Sequence, residues 1–115
     1  MGNLLSSAIK MQNGSAGGTA TLSLYSELGT AVNNRARWFK NGVLVGTFTA
    51  DSIVTLNAGD TFYITAVRTL APAGLTAYIY KNSVLQESVS DVTYTSATYT
   101  ASAGDIFDVS IYLGF

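Results

Sequence analysis

One strand-and-turn pattern occurs twice in this chain of 115 residues, and it constrains the fold more than any other feature. Residues 40–44 read KNGVL and residues 81–85 read KNSVL, while residues 58–62 (AGDTF) are matched by residues 103–107 (AGDIF). An Asn-Gly pair between apolar runs predicts a tight β-hairpin, because both residues tolerate the positive φ of a type I′ turn. Each copy therefore predicts a strand, a tight hairpin turn, two further strands, an Ala-Gly-Asp turn and a long strand.

The long strand that follows each Ala-Gly-Asp turn is predicted to have one apolar face. In both strands apolar and other residues alternate with a period of two, which is typical of a half-buried strand. A single copy has nothing against which to bury this face, so we expect two copies to form two packed layers. The residues predicted to anchor the core are Trp38, Phe62, Ile64, Phe107, Val109 and Ile111.

These strands predict an all-β fold: a two-sheet antiparallel β-sandwich, jelly-roll-like, with eight or nine strands and an N-terminal arm. An immunoglobulin-like sandwich is the rival, with Trp38 as its central tryptophan, although the usual cysteine pair is missing. We expect residues 1–18 to form the arm. Residues 19–115 then form a single sandwich domain made of two related halves, at about 35–69 and 77–113.

The apolar residues of the arm are candidate interface residues. Leu4, Leu5 and Ile9 form a weak apolar stripe ahead of a Gly-rich connector. We expect the stripe to contact a neighbouring chain, with docking along the edge of its own domain as the alternative.

The composition excludes several kinds of chemistry. The chain has no cysteine and no histidine, so it lacks a Cys nucleophile, thiolate metal ligands and the usual general base. We therefore expect no enzymatic activity and no cofactor. Asp60 and Asp105 are weak candidates for a metal site, because Ca²⁺ prefers oxygen ligands. The alternative, which we favour, is that each aspartate hydrogen-bonds the backbone of its own turn.

The charge content suggests a surface that is partly covered by other subunits. Charged residues make up 11% of the chain and the net charge is −1, against about 25% charged residues in typical domains. The alternative is that 14 Thr and 12 Ser solvate the surface instead. The six basic residues are scattered, so nucleic acid is not an expected partner. No apolar run approaches the roughly 18 residues of a membrane span, so no membrane is expected either.

Two further groups are candidate interface residues. Tyr94 and Tyr99 lie in a stretch rich in Thr and Tyr, where aromatic rings can cover a sheet within the monomer, contact a protein partner or stack on sugars. Arg37 and Phe39 are predicted to point away from Trp38. The basic residues of this hairpin, Arg35, Arg37 and Lys40, can pair with acids of a neighbouring subunit or form a solvated strand face.

Residues 40–44 and 54–64, echoed at 81–85 and 103–109, resemble the strand-and-turn pattern of small jelly-roll domains. The pattern is similar to complement-type and tumour-necrosis-factor-like domains, and to bacteriophage capsid decoration ("cement") and fibre-head proteins; it covers about half of the chain. The resemblance implies a structural virion protein on the capsid surface, a capsid decoration or minor capsid protein. Its partners would be copies of itself, a major capsid protein, or both.

The alternative function is a receptor- or glycan-binding module of a fibre or adhesin, with carbohydrate as the partner. Outside a virion, we expect the protein to be soluble or extracellular.

Overall fold

The computed structural model describes residues 17–114, and every regular element in that range is a β-strand. The prediction of an all-β fold is therefore confirmed. The described residues contain eleven strands where eight or nine were predicted, and three of the eleven are only two or three residues long. The strands are β1 (Thr19–Ser26), β2 (Thr30–Ala31), β3 (Asn34–Lys40), β4 (Val43–Phe48), β5 (Ser52–Asn57), β6 (Thr61–Arg68), β7 (Leu75–Lys81), β8 (Val84–Asp91), β9 (Thr93–Thr95), β10 (Tyr99–Thr100) and β11 (Ile106–Leu113).

The strands form two sheets, in agreement with the predicted sandwich. Sheet I has the order β5-β1-β11-β7-β8. Sheet II has the order β9-β6-β3-β2, with β10 also pairing with β6 and β4 also pairing with β3. All neighbours are antiparallel except β1 and β11, which run parallel. The prediction of an antiparallel arrangement therefore holds with this one exception.

The core lies between the sheets and is built from alternating side chains. In β1, for example, Ala20, Leu22 and Leu24 are buried while the residues between them are partly exposed. This is the period of two that places successive side chains on opposite faces of a strand. All six predicted core anchors are buried: Trp38, Phe62, Ile64, Phe107, Val109 and Ile111.

The sequence repeat reappears as two hairpins with the same local geometry. The turn of the β3–β4 hairpin has positive φ at Asn41 (52°) and Gly42 (79°), and the turn of the β7–β8 hairpin has it at Asn82 (51°) and Ser83 (67°). These values agree with the predicted type I′ turn. Each hairpin also has a register shift at the same place, between Trp38 and Phe39 in β3 and between residues 79 and 80 in β7.

The two halves are interlocked, and neither forms a sheet by itself. Strands β3, β4 and β6 of the first half lie in sheet II, but β5 lies in sheet I. Conversely, β7, β8 and β11 lie in sheet I, but β9 and β10 lie in sheet II. Strand β1 stands between β5 and β11. Each sheet is therefore completed by strands from outside its own half.

The predicted arm, including Leu4, Leu5 and Ile9, lies outside the described residues, apart from Gly17 and Gly18. In the described part of the chain, no helix is long and apolar enough to cross a membrane.

Candidate interaction surfaces

Asp60 and Asp105 each tie an Ala-Gly-Asp turn to the tip of the neighbouring hairpin. Asn41 Nδ2 donates to Asp60 Oδ1 at 3.1 Å, and the backbone N–H of Asn57 donates to Asp60 Oδ2 at 2.9 Å. In the second copy, Asn82 Nδ2 donates to Asp105 Oδ1 at 3.0 Å. The backbone N–H of Ser102 donates to Asp105 Oδ2 at 2.9 Å. We call these two sets of contacts the turn clamps.

Each asparagine side chain also accepts a hydrogen bond, which completes its clamp. Asn41 Oδ1 accepts from the backbone N–H of Thr61 at 2.9 Å, and Asn82 Oδ1 accepts from that of Ile106 at 2.8 Å. The asparagine therefore bridges the aspartate and the first residue of the long strand. This double role explains why the Lys-Asn and Ala-Gly-Asp sequences occur together in both copies.

Hydrogen bonds determine the electrostatics of both aspartates. The hydrogen bond from Asn41 lowers the pKa of Asp60 below its ordinary value, and the one from Asn82 does the same for the pKa of Asp105. Lys40 and Lys81 add weaker attraction, with Nζ 3.8 Å from Asp60 Oδ2 and 4.0 Å from Asp105 Oδ2. Residues 17–114 contain no group of three acidic residues that could hold a metal ion. The contacts of these carboxylates are those of turn residues.

Both turn clamps lie at the same end of the sandwich. The N–H of Ala58 donates to the carbonyl of Gly18 at 3.1 Å, and the N–H of Gly104 donates to the carbonyl of Thr19 at 2.9 Å. Because the two turns bond consecutive residues of the chain, they lie side by side where β1 begins. We call this region, with the two hairpin tips, the hairpin end.

The hairpin end carries large apolar side chains that are open to solvent. They follow the two tight turns in β4 and β8, and another begins β11. Within residues 17–114, β4 and β8 are edge strands, since each pairs there with one neighbour. Apolar side chains on an open strand edge are typical of a surface that binds another chain. Six residues here are between 45% and 67% exposed: Val43, Leu44, Val45, Val84, Leu85 and Ile106.

The rings of Tyr94 and Tyr99, two of the candidate interface residues, pack against the core. Tyr94 is 7% exposed. The ring of Tyr99 lies 5.4 Å from that of Phe62 and 6.0 Å from that of Phe107, measured between centroids. These two tyrosines thus cover the core within the monomer, which is one of the alternatives that the sequence left open.

The hydroxyls of these two tyrosines both donate to Glu87 on β8. Tyr94 donates to Oε1 at 2.8 Å, Tyr99 donates to Oε2, and the backbone N–H of Ala97 donates to Oε2 at 3.1 Å. Burial raises the pKa of both tyrosines, and Glu87 raises it further. Because β8 belongs to sheet I and both tyrosines to sheet II, Glu87 joins the two sheets. No feature of the sequence pattern identifies this acid.

Arg37 and Phe39 lie on the outer face of sheet II, as predicted. They alternate with the buried Ala36 and Trp38. The ring of Phe39 stacks on that of Tyr63, with centroids 4.4 Å apart. The guanidinium carbon of Arg37 lies 5.8 Å from the centroid of the Phe39 ring. These side chains form an ordered group that is open to solvent on one side.

An open groove of about 250 Å³ extends from Arg37 along the same face. It crosses β3, β6 and β9, and Val32 stands in the turn before β3. No sequence pattern groups Arg35 with Thr65 and Thr93 in one site. Strand alternation places them on outer faces, but only the pairing of β3, β6 and β9 brings them together. The lining residues are Val32, Arg35, Arg37, Thr65, Ala66, Val67, Thr93, Tyr94 and Thr95.

The outer face of sheet I carries a row of three tyrosines. Their centroids are 5.7 Å apart between Tyr25 and Tyr112, and 6.0 Å apart between Tyr78 and Tyr112. Tyr80, next along β7, is 37% exposed. Tyr112 is 38% exposed, so a partner can reach this row of tyrosines. The signal in the sequence was their alternation with Leu24, Ile79 and Ile111, all of which are buried.

A comparison with protein-family models, curated proteins and solved structures finds no match for this chain.

Proposed function

We propose that this chain is a non-catalytic structural protein of a virion, a capsid decoration or minor capsid protein that binds neighbouring protein subunits. The observation that carries the proposal is the hairpin end, where six large apolar side chains stay exposed beside two open strand edges. Burying such side chains against a partner contributes about 25 cal/mol per Å² of apolar surface. Edge strands add main-chain hydrogen bonds to that contact.

The small number of charges supports the same proposal. Of the seven acidic residues in the chain, Asp60 and Asp105 are engaged in turn clamps and Glu87 joins the sheets. Few charges therefore remain whose repulsion would oppose association of this chain with another molecule through its exposed apolar side chains. The resemblance to small jelly-roll virion proteins supplies the virion part of the proposal, and the absence of histidine and cysteine supports a non-catalytic role.

Sedimentation of the full chain tests the assembly part. We expect self-association, or co-sedimentation with capsids. We also expect Val43→Asp and Val84→Asp each to weaken it at least about tenfold, because a charge at a buried contact loses its hydration. Ile53→Asp is the matched control, since Ile53 is 74% exposed and lies on β5, away from the two hairpin tips. A strictly monomeric protein with no affinity for capsids would overturn the proposal.

The virion part has its own test. Mass spectrometry of purified virus particles should detect the chain in many copies, and its gene should stand beside a portal or major capsid gene. A gene among unrelated metabolic genes would count against this part and leave the assembly result unaffected.

The second candidate function is a receptor- or glycan-binding module, and the tyrosine row of sheet I favours it. Aromatic rings on a sheet face suit stacking on sugar rings. A glycan array distinguishes the two functions, with Tyr78→Ala and Tyr112→Ala as variants. A glycan signal that these variants lose would support the second function, and a glycan array without any signal would overturn it.

A further inference from the structure

The positive charges of the described residues divide into two groups. Lys40 and Lys81 pair with the aspartates of the turn clamps, and the guanidinium of Arg68 donates to the carbonyl of Gly74 at 3.0 Å. Arg35 and Arg37 have no carboxylate within 4.0 Å among residues 17–114, where the ion pairs are those two lysine pairs. Of the six basic residues of the chain, these two arginines occupy neighbouring outward positions of β3 without a described carboxylate partner.

Strand register explains why both guanidiniums border the same groove. Arg35 and Arg37 are two residues apart on β3, so their Cα atoms are about 7 Å apart and both side chains point outward. Arg35 lies opposite Val67, and Arg37 lies opposite Thr65. On the other side of β6, Thr93 lies opposite Val67 and Thr95 lies opposite Thr65. The groove therefore has two arginines on the β3 side, Thr65 on the middle strand β6, and Thr93 and Thr95 on the β9 side.

We propose that this groove binds a sugar unit that carries a carboxylate, with Arg35 and Arg37 holding the carboxylate and Thr65, Thr93 and Thr95 bonding the hydroxyls. A guanidinium presents donors in a planar fork that matches the two oxygens of a carboxylate. A threonine hydroxyl both donates and accepts, as a sugar hydroxyl does. The proposal is independent of the assembly role, which depends on the hairpin end.

Size and surroundings favour a sugar over other anions. The volume of about 250 Å³ lies just below the roughly 300 Å³ at which pockets for drug-sized ligands begin, so one sugar ring is a suitable occupant. Beyond Arg37 and outside the groove lining, the stacked rings of Phe39 and Tyr63 lie on the same sheet face, and they offer an apolar surface for the next unit of a chain. A bare phosphate would use the arginines and leave the threonines and the aromatic pair without a role.

Titration of the full chain with D-glucuronate, followed by backbone amide chemical shifts, tests the proposal. We expect shifts at the lining residues, and binding at least about tenfold weaker for D-glucose, which lacks the carboxylate. Arg35→Gln and Arg37→Gln should each lower the affinity for glucuronate at least about tenfold, since each removes a charge-assisted hydrogen bond. Arg37→Lys should fall between Arg37→Gln and the unchanged protein, because the charge remains and the fork is lost.

Lys40→Gln is the matched control, because it removes one positive charge from the same strand outside the groove. It should leave the affinity unchanged. Equal affinity for glucose and glucuronate would overturn the proposal, as would arginine variants that bind normally. Glutamate or inorganic phosphate binding as tightly as glucuronate would assign the groove to a protein carboxylate or to phosphate instead. If an arginine variant fails to fold, the comparison of the four ligands on the unchanged protein still decides.

Discussion

The rings of Phe62 and Phe107 meet edge to face inside the sandwich, with centroids 4.9 Å and planes 78° apart. Both side chains are fully buried. Phe62 follows the first Ala-Gly-Asp turn and Phe107 follows the second, so the equivalent residues of the two copies touch across the core. Aromatic pairs of this geometry contribute about 0.5–1.5 kcal/mol beyond the area they bury. The equivalent phenylalanines of the sequence repeat thus form a contact between the two sheets.

Truncation of either phenylalanine should destabilise the fold. We expect Phe62→Ala and Phe107→Ala each to lower the free energy of unfolding by about 3–5 kcal/mol, because each leaves a cavity in the core. Chemical denaturation measures this. Ile53→Ala, at a position that is 74% exposed, is the control and should change it by no more than about 0.5 kcal/mol. A loss below about 1 kcal/mol for both phenylalanines would contradict their burial.

The two hairpin turns predict that exchanging serine and glycine changes the stability of the protein in opposite directions at the two sites. Gly42 and Ser83 occupy the same turn position with φ of 79° and 67°, which costs energy for a residue with a Cβ. Ser83→Gly should therefore stabilise the protein by about 0.5–1 kcal/mol, and Gly42→Ser should destabilise it by a similar amount. A Cβ at position 42 meets no atom within 4 Å, so the effect comes from the backbone alone. Thermal unfolding of both variants checks it, and changes of the same sign would contradict it.

The turn clamps predict loss of stability in acid. Hydrogen bonds from Asn41 and Asn82 lower the pKa of Asp60 and Asp105 below the ordinary 3.8. A carboxyl whose pKa is lowered by folding stabilises the fold above its unfolded pKa, and this contribution disappears as pH falls through the lowered value. The urea midpoint should therefore hold steady above about pH 4–5 and fall below it. In the Asp60→Asn, Asp105→Asn double variant, the urea midpoint should be lower than that of the unchanged protein at pH 7, and it should fall less in acid. A fall in acid as steep as that of the unchanged protein would contradict this role.

Glu87 predicts late titration of two of the seven tyrosines. Burial and the carboxylate of Glu87 raise the pKa of Tyr94 and Tyr99 well above the usual 10. In an absorbance titration, Tyr94 and Tyr99 should therefore ionise well above pH 10, or only when the protein unfolds. Glu87→Gln should move that ionisation to lower pH. Glu27→Gln is the comparison, since the hydroxyl of Tyr25 donates to Glu27 at the exposed surface, and it should leave the ionisation of Tyr94 and Tyr99 in place. Ionisation of Tyr94 and Tyr99 near pH 10 in the folded protein would contradict the arrangement.

The candidate surfaces differ in how far the sequence could reveal them. Alternation around Trp38 correctly places Arg37 and Phe39 on an outer face, because the direction of a side chain in a strand depends only on its position. Tyr94 follows the same rule, but the sequence does not indicate which side of β9 faces the core. Predicting the groove would have required the knowledge that β3 pairs with β6 and that β6 pairs with β9. Residues 93–95 join that face from the other half of the chain.

The repeat, the positions of the tight turns and the choice of core residues all follow from the sequence, because they depend on backbone preferences and on a period of two over a few neighbours. Which sheet each strand joins does not follow from it. Strands β5, β9 and β10 cross to the sheet of the other half, and β1 enters between β5 and β11 as the one parallel neighbour of β11. Those pairings depend on which edges remain open and which apolar faces remain uncovered once both halves are present. Only the tertiary structure therefore decides that Tyr94 and Tyr99 close the core, while Arg35 and Arg37 share a groove.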